Sequence, residues 1–233
     1  MQSLERIIVQ GFNRKRFVIR RRFRSRKNTV LHIRVMSDSG PDEDIVAKLF
    51  EKNTLSVERD VLLGCTEAGI PVPRLIAADN DVILMEYVPG ANMVDLINCS
   101  YAESMIDALA EWYHRFHHSM KRNRGDSILR NFIWTHRGVV GVDFEESASG
   151  EWIDDIAGIA ASLLDTDPVF DVRKRALAWR LLDRYLACLR ECRTRELERV
   201  FVERVADCLS QTAGKRNSVD IHLLSERVRR RGF

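Results

Sequence analysis

Residues 16–50 contain segments that alternate between apolar and polar positions, which is the pattern of strands that bury one face of a sheet. Three such segments, 16–24, 29–35 and 45–50, are separated by polar turns and predict a small antiparallel sheet. Leu55 and Leu62 then share one face at helical spacing. The pattern therefore predicts three strands followed by one helix.

Two further apolar runs, 74–77 and 82–87, end at the turn formed by Pro89 and Gly90, and the pattern beyond this turn is mainly helical. This change of period indicates an α+β fold in two lobes. We expect an N-terminal lobe over residues 1–88, with a small antiparallel sheet and one helix. A mainly helical C-terminal lobe is expected over residues 89–233.

The C-terminal lobe contains a predicted hairpin among its helices. Ser100 and Glu103 have the spacing of a capping box, which marks the start of a long helix. Apolar strands at 132–135 and 139–142 follow, and the polar residues 136–138 between them fit a three-residue loop. The rest of the chain is predicted to be helical.

The composition of the 233 residues is that of an ordinary globular protein, with 45% hydrophobic and 30% charged residues. It excludes a disordered or collagen-like chain. No apolar run approaches the roughly 18 residues of a membrane span, and charges interrupt the start of the sequence, so we expect a cytoplasmic protein. The five cysteines include no C-x-x-C pair and indicate neither a zinc ribbon nor a disulfide framework.

Positive charge is concentrated at the N-terminal end. Residues 1–35 contain 11 Lys and Arg against one acidic residue, whereas the remaining residues contain 26 against 33. Such asymmetry indicates a surface that faces nucleotide phosphate, nucleic acid or an acidic protein, or else a solvated face.

Lys48 and Glu58 are charged residues at predicted apolar positions. Lys48 lies in the apolar strand 45–50, and Glu58 lies on the apolar stripe of the next helix. A buried charge is costly unless it is paired, so each residue supplies the counter-charge that the other needs. The alternative is a lysine that reaches the rim of the sheet and a glutamate at the edge of the stripe.

The predicted hairpin brings two oxygen-bearing side chains together. With Arg137 at the centre of the loop, Asn131 and Asp143 become cross-strand partners about 5 Å apart. An amide oxygen and a carboxylate oxygen suit Mg²⁺, which takes few protein ligands. Asp126, in the preceding loop, is expected to reach the same place. An asparagine in a turn and an aspartate at a strand end are the alternative interpretation.

The order of these features resembles that of a known family of kinases. The features are Lys48 in a third strand, Glu58 in the next helix, residues 85–88 at the lobe junction, Asp126 with Asn131, and Asp143-Phe144-Glu145. In this order they resemble the working parts of the protein-kinase-like fold. The segments 46–90 and 125–157 are similar to those of small aminoglycoside phosphotransferases and choline kinases.

The resemblance implies ATP-dependent transfer of a phosphate to a hydroxyl of a small molecule. In the N-terminal lobe, Lys48 would hold the α- and β-phosphates of ATP, and Glu58 would orient Lys48. The main chain at Glu86 and Val88 would bind the adenine. These residues together would form the nucleotide site.

The resemblance also implies a catalytic group and a metal site. Asn131 and Asp143 would bind Mg²⁺, and Asp126 would orient the acceptor hydroxyl and accept its proton. Asp155 would support the catalytic loop through hydrogen bonds to its backbone, with the adjacent Asp154 as the alternative.

Three features depart from the family pattern. The turn at 24–28 contains no glycine, so Arg26 and Lys27 would hold phosphate by charge rather than through a close backbone. Arg124 stands where the family commonly has His, and Ser127 stands where it commonly has Leu. The missing glycine favours an alternative in which the protein is an inactive nucleotide-binding scaffold.

Two further features suggest other functions. His114, His117 and His118 could form a metal cluster, but without a third-ligand motif we expect surface histidines at a helix end. The arginines at 229–231 and the basic N-terminal lobe keep open a kinase similar to the compact kinases associated with tRNA modification. The sequence identifies neither the acceptor nor the oligomeric state, and it leaves the choice between ATP and GTP open.

Overall fold

Contacts within the chain divide it into two units, which we name by their content. The computed structural model describes residues 2–12, 16–25, 27–37, 40–52 and 54–233. The sheet unit comprises Met1–Pro89 and Val142–Glu146, and the helical unit comprises Gly90–Gly141 and Ser147–Phe233.

The sheet unit is built on one antiparallel sheet. Its elements in chain order are α1 (Gln2–Phe12), β1 (Phe17–Phe23), β2 (Thr29–Val35), β3 (Glu43–Leu49), α2 (Leu55–Glu67), β4 (Leu75–Asp79) and β5 (Val82–Glu86). The five strands have the order β1-β2-β3-β5-β4. The predicted antiparallel sheet is confirmed, and β2 has the predicted bounds.

The core of the sheet unit lies between one face of the sheet and α1. Leu31, Ile33 and Val35 alternate along β2 and are buried in one cluster with Leu4 and Ile8 of α1. Burying each such side chain contributes roughly 1.5 to 3 kcal/mol. The expectation of one helix in this part of the chain is wrong, because α1 is needed to cover the apolar face of the sheet.

The helical unit contains six helices and a small sheet within its described residues. Its elements are β6 (Ala91–Asn92), α3 (Met93–Ser100), α4 (Glu103–Met120), a 3₁₀ turn (Leu129–Asn131), β7 (Phe132–Thr135), β8 (Gly138–Gly141), α5 (Trp152–Asp165), α6 (Val172–Leu189), α7 (Arg195–Arg216) and α8 (Val219–Arg231). No helix in the described ranges has the length and apolar character that crossing a bilayer requires.

The start of the long helix differs from the predicted capping box. Ser100 is the last residue of α3, and its hydroxyl donates to the carbonyl of Leu96 at 2.8 Å. Tyr101 then adopts a left-handed backbone, and α4 begins at Glu103 without a side-chain cap. The capping box is therefore wrong, because the Ser100 hydroxyl closes the preceding helix instead.

The hairpin has a shorter loop than the sequence predicts. Thr135 pairs with Gly138, so only two residues form the loop, and the ladder ends where Phe132 pairs with Gly141. The Thr135 hydroxyl closes this tight turn, since it accepts from the backbone N–H of Arg137 at 3.0 Å and donates to the carbonyl of Gly138 at 3.0 Å.

This register corrects the predicted cross-strand pair. Asn131 lies in the 3₁₀ turn before β7, and Asp143 lies after the end of β8. Neither residue belongs to the ladder, and the one-residue change in register removes the geometric reason for placing them opposite each other.

Candidate functional site

Lys48 lies on the face of β3 that points away from the core against α1. Its strand neighbours Ala47 and Leu49 pack into that core, and side chains alternate between the two faces of a strand. Lys48 Nζ donates to Glu58 Oε2 at 2.5 Å, and only 5% and 1% of the two side chains are exposed. The ion pair expected from the sequence is therefore present, and it joins β3 to α2.

Two further carboxylates contact the ammonium group of Lys48. Nζ donates to Asp143 Oδ1 at 2.6 Å and lies 3.3 Å from Glu145 Oε2. Burial alone would lower the pKa of Lys48, but the charges of Glu58 and Asp143 outweigh burial and raise this pKa above its ordinary value. Lys48 is therefore a cation at physiological pH.

The segment that carries these two acids has an unusual backbone. Asp143 has a φ of 66°, in the left-handed region that few residues other than glycine adopt. The following residue, Phe144, is fully buried, and both residues belong to the sheet unit. Strained backbone of this kind is common at functional sites, where the surrounding structure holds it in place.

The acids around Lys48 form a group that fits a divalent cation. Glu58, Asp143 and Glu145 each offer a carboxylate oxygen, and these oxygens lie within 4.8 Å of one another. Oxygen donors of this type are the ligands that Mg²⁺ and Ca²⁺ prefer. Within the described ranges, no other set of three His, Cys, Asp or Glu side chains has this geometry.

This group differs in part from the metal site proposed from the sequence. Asp143 belongs to it, whereas Asn131 belongs to the helical unit. No role was predicted for Glu145 from the sequence. Its place in the Asp143-Phe144-Glu145 motif was the available signal.

The turn between β1 and β2 is tied to the same acidic segment. Lys27 forms an ion pair with Glu146 and lies 3.9 Å from Glu145 Oε1. The Asn28 side chain donates to Glu145 and accepts from the backbone N–H of Glu51 at 3.2 Å. Arg26, which the sequence analysis also placed at the phosphates, lies outside the described residues.

The proposed adenine-binding segment follows the end of β5. Glu86 is the last residue of that strand, and its backbone N–H donates to the carbonyl of Arg74 at 2.9 Å. Val88 is half-buried in the segment that follows. Between them, the ring of Tyr87 stacks on His32 with 4.1 Å between ring centroids. The contact holds this segment against β2.

In the helical unit, Asp126 and Asn131 lie together. The Asn131 side-chain amide donates to the Asp126 carbonyl at 2.9 Å and to Asp126 Oδ2 at 3.3 Å. The amide thereby fixes both the backbone and the carboxylate of Asp126. We call residues 124–131 the catalytic loop, the name that the sequence resemblance implies for them.

Asp155 supports this loop from α5. Its carboxylate accepts from the backbone N–H groups of Arg124 at 2.6 Å and Gly125 at 3.2 Å, and from the Ser127 hydroxyl at 2.6 Å. Asp154 instead forms an exposed ion pair with Arg204 at 3.4 Å. The expectation that Asp155, rather than Asp154, supports the loop is confirmed.

Close approach of the loop to α5 requires a glycine in that helix. A Cβ atom on Gly158 would lie 2.8 Å from the carbonyl oxygen of Ser127. The loop therefore packs on the helix one turn after Asp155, where any larger residue would push it away.

His117 belongs to the same network, which the sequence analysis missed. Its Nε2 lies 2.9 Å from Asp155 Oδ2, and its Nδ1 lies 2.8 Å from the Tyr185 hydroxyl. Only 9% of the His117 side chain is exposed, so the expected surface location is wrong for this histidine. His117 lies four residues after the buried Tyr113 and therefore on the same face of the helix, and this was the available signal.

Arg124 and Ser127, the departures from the family pattern, are both integrated into the loop. Arg124 is fully buried, its guanidinium donates to the Asp126 carbonyl, and it lies 5.2 Å from the ring centroid of Phe132. Ser127 donates to Asp155 and accepts from the Tyr113 hydroxyl at 2.9 Å. Both residues thus hold the loop that carries Asp126.

A cavity of about 490 Å³ opens beside the catalytic loop within the helical unit. It is lined by Gly125, Asp154, Arg204, Asp207, Cys208, Ser210 and Gln211. Burial raises the pKa of the Cys208 thiol to about 11, so this group is a neutral thiol at physiological pH. The cavity wall is otherwise polar and charged.

Comparison with known proteins identifies the fold. No protein-family model matches the chain, and no curated protein sequence matches it. Solved structures do match the chain. One is a choline/ethanolamine kinase family protein from Mesorhizobium loti, with a TM-score of 0.62 at 15% identity. The match covers 91% of this chain and 86% of that protein's chain. The fold is therefore protein-kinase-like, as the sequence resemblance implied.

Two further structures agree with this assignment. Amicoumacin kinase hAmiN, in complex with AMP-PNP, Ca²⁺ and Ami, has a TM-score of 0.60 at 13% identity, with 90% of this chain and 86% of that chain covered. Choline kinase from Cryptosporidium parvum Iowa II has a TM-score of 0.54 at 14% identity, with 91% and 87% covered. At these identities the likeness establishes the fold.

Proposed function

We propose that the protein is an ATP-dependent phosphotransferase that moves the γ-phosphate of ATP to a hydroxyl of a small molecule. The observation that carries this proposal is the contact of Lys48 with both Glu58 and Asp143. A buried lysine shared by a helix glutamate and the aspartate of a D-F-E segment is the arrangement that kinases use to position nucleotide phosphates. We propose residues 1–88 as the nucleotide-binding lobe and residues 89–233 as the catalytic and substrate lobe.

The nucleotide interacts with residues of the sheet unit. Lys48, oriented by Glu58, donates hydrogen bonds to the α- and β-phosphates, and the main chain at Glu86 and Val88 binds the adenine. Lys27, together with Arg26, attracts the outer phosphates by charge. The positive charge of Lys48 suits this role, since its raised pKa keeps it protonated.

A divalent cation, Mg²⁺, would be held by the Asp143 carboxylate with Asn131, and we add Glu145 to this set because its carboxylate lies in the same acidic group. When bound, it would neutralise charge that develops on the phosphate oxygens. The amicoumacin kinase structure with AMP-PNP and Ca²⁺ supports this combination of nucleotide and divalent cation.

Asp126 acts on the acceptor. Its carboxylate orients the hydroxyl and accepts its proton while the hydroxyl oxygen attacks the γ-phosphorus in line, and the bond to the bridging oxygen breaks to release ADP. Asn131 and Asp155 hold the loop so that the carboxylate keeps its position. Positioning of this kind accounts for most of the catalysis in phosphoryl transfer.

The acceptor occupies the cavity beside the catalytic loop. Its wall contains the hydroxyl of Ser210, the amide of Gln211 and the carboxylates of Asp154 and Asp207, which suit a polar, hydroxylated molecule. The three kinase structures that share the fold include enzymes named for small molecules, which supports a small acceptor. A cytoplasmic location stays a prediction from the sequence.

The alternative is a scaffold that binds nucleotide without transferring phosphate. The glycine-free turn before β2 favours it, because this turn cannot bring its backbone as close to phosphate as glycine allows. Thermal unfolding with ATP, GTP and Mg²⁺ tests nucleotide binding, and a phosphate-transfer screen over hydroxylated metabolites tests activity. Nucleotide binding without transfer to any acceptor or to water would select the scaffold.

A further inference from the structure

The edge of the sheet is an exposed strand that the proposed function does not use. In the described part of the chain, β1 is the first strand of the sheet and pairs with β2 alone. Its five central residues are exposed, including Val18 at 50% and Ile19 at 43%. An exposed edge strand offers unpaired backbone groups, and side chains on both faces, to a partner.

Arginines dominate this strand and its ends. They are Arg16, Arg20, Arg21, Arg22 and Arg24. Among the residues that the structure describes, no carboxylate lies within 4.0 Å of these guanidinium groups. Other exposed arginines do have such partners, as Arg59 has Asp60 at 2.8 Å and Arg230 has Glu226 at 3.2 Å. The described residues therefore leave a dense positive charge along β1.

A β-bulge spreads this charge over both faces of the strand. The register with β2 shifts between Ile19 and Arg21, so Arg20 is the extra residue. Arg21 and Arg22 then follow on opposite faces, because side chains alternate along a strand. The Arg21 guanidinium also lies 5.3 Å from the ring centroid of Phe23, within the range of a cation–π contact.

The distribution of apolar residues argues against a membrane as the partner. Segments that lie on a membrane place apolar residues on one face and basic residues on the other. Each face of β1 mixes the two, since the pairing with β2 puts Val18 on the face of Arg21 and Ile19 on the face of Arg22. Such a surface fits a flexible polyanion that can contact both faces.

We propose that β1 binds the phosphodiester backbone of single-stranded nucleic acid. Arginine pairs with phosphate through two parallel hydrogen bonds and stacks on bases, so a set made only of arginines suits nucleic acid better than lysines would. An extended strand can also run alongside an extended nucleic-acid chain and contact successive phosphates. Arg20, Arg21 and Arg22 form the centre of this surface.

The test is the binding of fluorescently labelled single-stranded RNA and DNA to the full chain, measured by anisotropy over a range of salt concentrations. The variant is Arg20→Ser/Arg21→Ser/Arg22→Ser. Affinity should fall at least about tenfold, and the slope of log affinity against log salt should become shallower by about 2, because each lost phosphate contact removes about 0.7. Comparing the measurements with RNA and with DNA identifies which sugar the natural ligand carries. A loss of affinity for either nucleic acid in the variant supports the proposal.

A matched variant controls for net charge. Arg59→Ser/Arg173→Ser/Arg230→Ser removes the same charge from exposed positions outside β1, and it should weaken binding less than about threefold with its salt slope nearly unchanged. The triple change of Arg20, Arg21 and Arg22 to Lys preserves charge and tests the same surface should the serine variant fail to fold. It should retain the salt slope and lose several-fold in affinity.

Three results would overturn the proposal. The first is equal weakening by the two serine variants, which would reduce the effect to net charge. The second is no binding of either nucleic acid by the wild-type protein at low salt. The third is β1-dependent binding to phosphatidylglycerol vesicles without binding to nucleic acid, which would assign the surface to a membrane.

Discussion

Lys48 Nζ and Glu58 Oε2 lie 2.5 Å apart in an almost completely buried ion pair. A pair of this kind rarely adds net stability, because removing two charges from water costs about as much as their attraction returns. Its geometry does fix the lysine, since β3 and α2 each contribute one partner. We therefore interpret the pair as a positioning device for the ammonium group.

This interpretation predicts different effects of Lys48 on stability and on nucleotide binding. Lys48→Met should lower the free energy of unfolding by roughly 3 to 5 kcal/mol, because the Glu58 carboxylate is left buried without its partner. The double variant Lys48→Met/Glu58→Leu should regain much of this stability and still show no thermal shift with Mg²⁺-ATP. Chemical denaturation and thermal unfolding measure the two effects, and recovery of nucleotide binding in the double variant would contradict the role of Lys48.

The acidic segment is predicted to govern the response to metal. Asp143→Asn should abolish the Mg²⁺-dependent part of the stabilisation by ATP while the fold stays intact, because a neutral amide is a weaker ligand than a carboxylate. Glu145→Gln should reduce the same response. Asp79→Asn, in the same unit and paired with Arg6 at 2.7 Å, is the control and should respond like the wild type. Thermal unfolding measures these responses, and a full shift in the melting temperature of Asp143→Asn with Mg²⁺-ATP would rule out the metal assignment.

Asp155 and Asp154 are adjacent and offer a matched comparison. Asp155→Asn should cost roughly 2 to 5 kcal/mol of stability and lower kcat, because the buried carboxylate accepts from two backbone N–H groups of the catalytic loop. Asp154→Asn should change stability by no more than about 0.5 kcal/mol, since its ion pair is exposed. Urea unfolding of the two variants provides the measurement, and similar losses would show that the network does not hold the loop.

The basic turn is predicted to act on phosphate by charge. The triple change of Arg24, Arg26 and Lys27 to Ser should weaken the binding of ATP far more than the binding of adenosine. Added salt should have the same effect on the wild type, because exposed charges are screened over roughly 8 to 10 Å at physiological ionic strength. Calorimetric titration with both ligands measures this difference. If ATP affinity is unchanged but RNA affinity falls with a shallower salt dependence, the turn belongs to an RNA surface. A variant unchanged for both ligands would leave only a solvated face.

The elements with strong periodicity were predictable from the sequence. β2 alternates half-buried and buried residues from Val30 to Val35, and its bounds match the prediction. Lys48 and Glu58 were identifiable because a charge on an apolar position needs a counter-charge. Asp155 was identifiable only through the family resemblance, because its neighbour Asp154 is chemically identical.

The predictions that were wrong concern features that depend on tertiary contacts or on single hydrogen bonds. The hairpin register depends on the Thr135 hydroxyl, which closes a two-residue loop where the position of Gly138 suggested three. Helix α1 has apolar residues Leu4 and Ile8 at helical spacing, but the signal is short and its stability comes from packing on the sheet. His117 differs from its exposed neighbour His118 only by its place on α4.

Phosphate transfer by the wild type and Asp126→Asn proteins tests the central claim most directly. With γ-labelled ATP, Mg²⁺ and a panel of hydroxylated small molecules, the wild type should transfer label to at least one acceptor. Asp126→Asn should bind ATP nearly as well and lose roughly 100-fold or more in rate, the scale expected for a removed general base. A wild-type protein that binds ATP but releases no phosphate to any acceptor or to water would contradict the assignment as a phosphotransferase.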